Sequence, residues 1–160
     1  MIEMDILFPE FKRILLVLIK HDVRFMLIGG YAVIFHGYER STSDMDIWLE
    51  PTEENKTAFI SAFKEIKVNE STIAQLQKLD FSQPQVFYFG ESPKRIDFLT
   101  KIQQVEFLEA FDQSSYFPLA DQQVKIINYN HLITSKISTG RLKDKADVEE
   151  LQKINNKRNK

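Results

Sequence analysis

Apolar residues recur along the chain with two periods, and the alternation between them predicts helices interleaved with short strands. Phe8, Phe11, Ile14, Leu15 and Leu18 fall at helical spacing, with Pro9 acceptable in a first turn, so an amphipathic helix ending near Lys20 to Asp22 should cover one face of a sheet. Phe25 to Ile28 is a short apolar run that stops at Gly29 and Gly30, after which Tyr31 to Phe35 begins a buried helix. Met45, Ile47 and Leu49 then alternate with Asp44, Asp46 and Trp48, the period of a strand. Pro51, Thr52, Glu53 and Glu54 make a helix start, and Ala58, Phe59, Ala62, Phe63 and Ile66 its buried stripe.

Ser71 to Leu79 predicts a short helix, and Ser82-Gln83-Pro84 breaks the chain. Val86 to Phe89 reads as a strand ending at Gly90, and Glu91-Ser92-Pro93-Lys94 as a turn into a further strand, Arg95 to Leu99. A helix over Val105 to Phe111 and small strands over Ser114 to Leu119 and Gln123 to Ile127 follow. Tyr129 to Ser138 predicts a helix capped by Gly140, and Arg141 opens a last one with Val148, Leu151 and Ile154 inward. Asn155 to Lys160 is polar and basic and is expected to fray. The order is that of one α/β domain over residues 1–154, a small mixed sheet flanked by helices, with a tail over 155–160.

Composition narrows the classes. At 160 residues and 43% hydrophobic the chain has the size and core of one domain, and a net charge of −2 with interspersed signs leaves no overall footprint for tight nucleic-acid binding. The absence of cysteine excludes a disulfide framework and thiol chemistry and is compatible with a cytoplasmic setting. Ile14 to Ile19, between Arg13 and Lys20, is far too short to span a bilayer. The leading segment carries Glu3 and Asp5 and lacks the basic start of a secretory signal, so no membrane association is expected.

The chemistry concentrates between Phe25 and Glu50. A glycine turn between strand and helix leaves backbone N–H groups free, where a phosphate can sit. Asp44 and Asp46 point to one side of their strand. Two adjacent carboxylates repel unless a cation lies between them, and magnesium, which takes oxygen ligands together with substrate phosphates, suits the place. Asp97 shares a strand face with Arg95 and Leu99 and can supply a third carboxylate; the alternative is an ion pair with Arg95 or Lys94 at a sheet edge. Trp48 lies on the face of Asp44 and Asp46 and either walls a pocket, stacking on a base, or belongs to the core. His21, His36 and His131 have no zinc spacing, though His36 is near enough to the glycines to approach a phosphate.

The pattern Gly29-Gly30, His36-Gly37, Arg40-x-Thr42-x-Asp44-x-Asp46 resembles the motif of the DNA polymerase beta type nucleotidyltransferase superfamily. Its small bacterial members, the lincosamide-resistance enzymes and the abortive-infection or toxin–antitoxin nucleotidyltransferases, are the nearest in pattern. Their motif is Gly followed by Gly or Ser, then Asp-x-Asp or Asp-x-Glu on the next strand, then a later third carboxylate. This chain has Gly30 where serine is commoner and so lacks that hydroxyl. Lys136 followed by Arg141-Leu142-Lys143-Asp144 resembles a second, shorter motif of the abortive-infection group, and the two together span Phe25 to Leu151.

The resemblance implies a nucleotidyltransferase fold. It implies two magnesium ions, or manganese in their place, on the catalytic carboxylates Asp44, Asp46 and Asp97. A nucleoside triphosphate would be held by Gly29, Gly30, Arg40, Thr42, Lys136, Arg141 and Lys143. Lys136 is expected to contact phosphate and to be dispensable for folding, and the plain alternative for Lys143 is an i, i+4 pair with Asp147 on a solvated helix face. The acceptor would be a tRNA or a protein in a toxin-like enzyme and a small antibiotic in a resistance enzyme. A third reading is a non-catalytic nucleotide-binding or antitoxin module, and a homodimer or a cognate partner protein is compatible with any of these.

Overall fold

The computed structural model describes residues 7–42 and 44–159. Thirteen elements occur among them: α1 (Pro9–Lys20), β1 (Phe25–Ile28), α2 (Gly29–Phe35), β2 (Met45–Leu49), α3 (Glu53–Glu65), α4 (Glu70–Lys78), β3 (Val86–Phe89), β4 (Ile96–Leu99), α5 (Phe107–Asp112), β5 (Ser115–Leu119), β6 (Gln122–Ile126), α6 (Tyr129–Thr139) and α7 (Leu142–Arg158). The strands form one six-stranded mixed sheet in the order β3-β4-β2-β1-β6-β5, flanked by the helices, as the alternation of periods predicts. Strand β2 runs parallel to β4 and antiparallel to β1, while β6 runs parallel to β1.

Register places the chemistry. Asp46 on β2 is opposite Ile28 on β1 and Asp97 on β4, and Asp97 is opposite Tyr88 on β3. One row across four strands therefore reads Ile28, Asp46, Asp97, Tyr88. Met45, Ile47, Ile96 and Phe98 project from the other side of their strands into the core, so the period-2 pattern leaves Asp46 and Asp97 on the same face.

An aromatic cluster holds that core. The ring of Phe59 on α3 lies 4.3 Å from Phe63, 4.9 Å from Phe98 and 5.7 Å from Phe87, and it is wholly buried. Helix α3 starts where Thr52 accepts a hydrogen bond from the Asn55 N–H, a side-chain N-cap. The Asn55 side chain then ties α3 to the strand ends through the Arg24 amide and the carbonyls of Arg24 and Glu50.

Of the two places open to Trp48 the structure takes the core, and the ring does not line the cavity of Asp44 and Asp46: it is 1% exposed, its Nε1 donates to the Thr100 carbonyl at 3.3 Å, and its ring meets Phe107 edge-on at 5.2 Å. Helix α5 thus covers the Trp48 end of the face that carries Asp46 and leaves the Asp46 end open. The expectation of a frayed tail from residue 155 is corrected, because α7 continues to Arg158. Lys157 and Arg158 suit a helix C-terminus, and the Arg158 guanidinium donates to the His36 carbonyl at 3.4 Å, tying the last turn of α7 to the end of α2. Glu3, Asp5 and Lys160 lie outside the described residues. Among these, no helix is long and apolar enough to cross a membrane.

Candidate active site

Strand β1 passes into α2 with no intervening loop, and the turn requires glycine. Gly29 has φ +67°, in the left-handed region, and a Cβ there would overlap the carboxylate of Asp46. The backbone and Asp46 therefore pack together as only glycine allows. A Cβ on Gly30 would overlap the hydroxyl of Thr42 and come within 3.5 Å of Arg40 Nη1. The hydroxyl in that corner of the site thus belongs to Thr42, and residue 30 has no room for a serine unless Thr42 moves. Helix α2 has only seven residues, so its dipole adds little and the exposed N–H groups are the main attraction for an anion.

The three carboxylates differ in their partners. Asp44 accepts a hydrogen bond from Ser92 Oγ at 2.9 Å and lies 3.4 Å from Arg95 Nη2. Asp97 faces the same guanidinium, with Nε at 3.0 Å and Nη2 at 3.2 Å. The ion pair of Asp97 with Arg95 thus forms, but β4 is an inner strand and not the sheet edge. Burial pushes the Asp46 carboxyl up to about 6, the negative charges of Asp97 and Asp44 add to the rise, and Lys136 and Lys143 oppose it. This is the signature of an acidic cluster short of positive charge. Among the described residues no three side chains converge as a ready-made metal cluster, since Asp44 and Asp97 are turned to Arg95. The donor chemistry nevertheless fits a hard divalent cation: carboxylate oxygens in excess of their counter-charge, beside a glycine turn that has room for phosphate oxygens to complete the coordination.

The cations on the helical side are less free than expected. Lys136 on α6 is 7% exposed, and its ammonium donates to Asp144 at 2.8 Å and Asp147 at 3.0 Å. Arg40 reaches Asp147 through two bonds, 2.9 and 3.1 Å, and Arg141 Nε reaches Asp144 at 2.6 Å. Burial alone would raise the Asp144 carboxyl, but the bonds from Lys136, Thr139 and Arg141 outweigh it and bring it down to about 2. The expectation that Lys136 is dispensable for folding is corrected: it is the centre of a buried ionic network clamping α6, α7 and the loop before β2. Asp147 pairs with Arg40 and Lys136 rather than with Lys143. His36 is likewise taken up structurally, its Nε2 donating to the Ile127 carbonyl at 2.8 Å, while burial lowers its pKa.

All ten residues singled out from the sequence, Gly29, Gly30, Arg40, Thr42, Asp44, Asp46, Asp97, Lys136, Arg141 and Lys143, line one cavity of about 510 Å³. Asp144 lines it too, and a more apolar hollow of about 380 Å³ adjoins it across Asp46 and Lys136, walled by Leu99, Ile102 and Leu132. Sequence reasoning offered Arg95 as a partner of Asp97 but not of Asp44, and it missed Asp147 as the partner of Arg40 and Lys136. A signal for Asp147 existed: positions 144, 147, 148 and 151 form the inward stripe of α7, and two carboxylates on a buried stripe require cations.

A family model described as "Nucleotidyl transferase of unknown function (DUF2204)" matches residues 8–160. The chain belongs to this family. A solved structure from Thermotoga maritima described as a nucleotidyltransferase has the same fold, with a TM-score of 0.51 and 13% identity over 93% of this chain and 94% of that one. ANT(2")-Ia, solved in complex with adenylyl-2"-tobramycin, aligns with a TM-score of 0.48 and 12% identity over 89% and 85% of the two chains. No curated protein matches the chain by sequence.

Two outcomes test this picture of the nucleotidyl transferase. Lys136→Met should cost about 3–5 kcal/mol in chemical denaturation, because two buried carboxylates lose their common cation; a loss below about 1 kcal/mol would show that the network is not a clamp. Asp46→Asn should leave the metal-free protein as stable as the parent at pH 4 and more stable at pH 8. A carboxyl whose folded pKa of about 6 exceeds an unfolded value of about 3.9 withdraws stability as pH rises through that window, here on the order of 2 kcal/mol. An Asp46→Asn protein less stable than the parent at pH 8 would mean that Asp46 is a satisfied structural residue.

Proposed function

We propose that this nucleotidyl transferase moves a nucleoside monophosphate from a nucleoside triphosphate to an acceptor hydroxyl, with divalent cations at Asp44, Asp46 and Asp97. One observation carries the reading: strand register brings Asp46 and Asp97 side by side against the Gly29-Gly30 turn, in one cavity with Asp44, Thr42 and Lys143. Magnesium or manganese bound there would neutralise phosphate charge and lower the pKa of the acceptor hydroxyl.

The chain's own groups divide the remaining work. The N–H groups of the glycine turn, the Thr42 hydroxyl and the cations Lys143 and Arg141 hold the triphosphate in line and meet the charge that grows on departing pyrophosphate. Lys136 contributes its field from inside the wall and also fixes Arg40 through Asp147. The apolar hollow beside Asp46 has the size and lining for a nucleoside. Asp97 lies on the side of Asp46 away from the glycine turn, where it can take the proton of the attacking hydroxyl. The acceptor reaches it over β3, where Val86 and Tyr88 are largely exposed, an open approach that suits a tRNA or a protein in a toxin-like cytoplasmic enzyme.

Incubation of the protein and labelled nucleoside triphosphates with magnesium and a cell lysate tests the proposal, with a thermal melt alongside. The expected result is a labelled macromolecule and a melting temperature raised by nucleotide and metal together, since a ligand of the native state alone adds stability. A labelled small molecule would point to a resistance enzyme. No label and no shift at millimolar ligand would contradict nucleotide binding.

A further inference from the structure

Arg95 stands immediately before β4, two residues ahead of Asp97 and on the same side of the chain. Its carbonyl accepts from the Met45 N–H at 2.9 Å, so its backbone belongs to the sheet. Its side chain, 38% exposed, places one guanidinium against two carboxylates, 3.0 and 3.2 Å from Asp97 and 3.4 Å from Asp44. On the outer side the ring of Tyr88 lies 5.3 Å from Arg95 Cζ and is itself 69% exposed as a residue. The neighbouring Lys94 is turned away to Glu10, at 2.9 Å.

On the reading of this cavity as a metal and nucleotide site, we propose that Arg95 is a positioning residue that acts as the resident counter-ion of the acidic cluster and gives way when a divalent cation binds. Carboxylates crowded on neighbouring strands repel, and a guanidinium fork offsets that repulsion while holding Asp44 and Asp97 together. The same contact competes with a metal for those oxygens, because the guanidinium lies where the carboxylates face each other and a second cation brought there repels it. Asp46, which Arg95 does not touch, is the open point of entry.

Two features make the exchange easy. The Arg95 side chain is more than a third exposed, and ion pairs of that kind are weak, whereas a divalent ion among three carboxylates carries twice the charge at closer range. Tyr88 also offers the departing guanidinium an aromatic face on which part of its attraction is kept. Loading the site therefore moves a positive charge out of the carboxylates and onto the β3 side, where the acceptor arrives. The contact also accounts for three carboxylates that share a cavity without converging.

The test is titration of the nucleotide-free protein with Mn²⁺, followed by the electron paramagnetic resonance of free Mn²⁺, together with metal-free melting curves. Arg95→Gln should bind Mn²⁺ about twofold to tenfold more tightly than the parent, the range carried by one or two half-exposed ion pairs, and should melt lower without metal. Arg95→Lys keeps the charge and should stay within about twofold of the parent. An Arg95→Gln protein that binds Mn²⁺ no more tightly than the parent, or an Arg95→Lys protein that gains as much as Arg95→Gln, would overturn the counter-ion role alone. A parent that binds no Mn²⁺ at millimolar concentration would remove the metal-site reading and this inference with it.

Discussion

The row Ile28, Asp46, Asp97 across three neighbouring strands is the constraint on which the rest of the molecule depends. A sheet has a side-chain period of two, so a slip of one residue in either pairing would send a carboxylate into the core and a core residue into the cavity. The buried Met45, Ile47, Ile96 and Phe98 on the opposite face, packed under the Phe59 cluster, prevent that slip. The energy that fixes the register comes from apolar burial, and the site uses it to hold like charges together. Gly29 follows from the same row: with Asp46 opposite Ile28, the next residue meets the carboxylate itself, and only glycine fits.

Charge compensation takes two forms around this row. On the helical side it is internal, with Lys136 shared between Asp144 and Asp147 and Arg40 paired with Asp147 in a buried network that joins α6 and α7 to the loop before β2, and with the exposed Arg141 reaching Asp144 from the rim. Removing one member of such a network is costly because its partners stay buried. On the β3 side compensation is half-exposed and rests on Arg95, while Asp46 between them has no full partner among the described residues and its carboxyl is held near 6. A structural site would pair every charge. The cluster left short of one is the pattern expected where stability is given up for a ligand.

Much of this was legible in the sequence because it is written in local periods. The strand over Val86 to Phe89 is observed at the expected residues, the capped start at Thr52 and the left-handed Gly140 occur where residue type demands them, and the alternation around Asp46 and Asp97 placed both on an open face. Long-range pairing was not legible. Arg40 and Asp147 are 107 residues apart, and no period connects them, so Arg40 read only as a phosphate ligand. Lys136 looked dispensable for the same reason. Trp48 shows the limit of face arguments: it has the parity of Asp46, but α5 covers that end of the sheet, a matter of layer packing and not of strand period. Asn155 to Arg158 were polar enough to suggest fraying, yet a single bond from Arg158 to the His36 carbonyl ties them to α2.

On the proposed function, the carboxylates aligned against the glycine turn hold divalent cations beside a nucleoside triphosphate. Crystals grown with Mn²⁺ and a non-hydrolysable nucleoside triphosphate, measured at a wavelength where manganese scatters anomalously, put this arrangement to the test. Anomalous peaks in contact with Asp44, Asp46 and Asp97, phosphate density over Gly29 and Gly30, and the Arg95 guanidinium turned toward Tyr88 are expected. Nucleotide and manganese bound elsewhere, with Arg95 still between Asp44 and Asp97, would contradict the proposal.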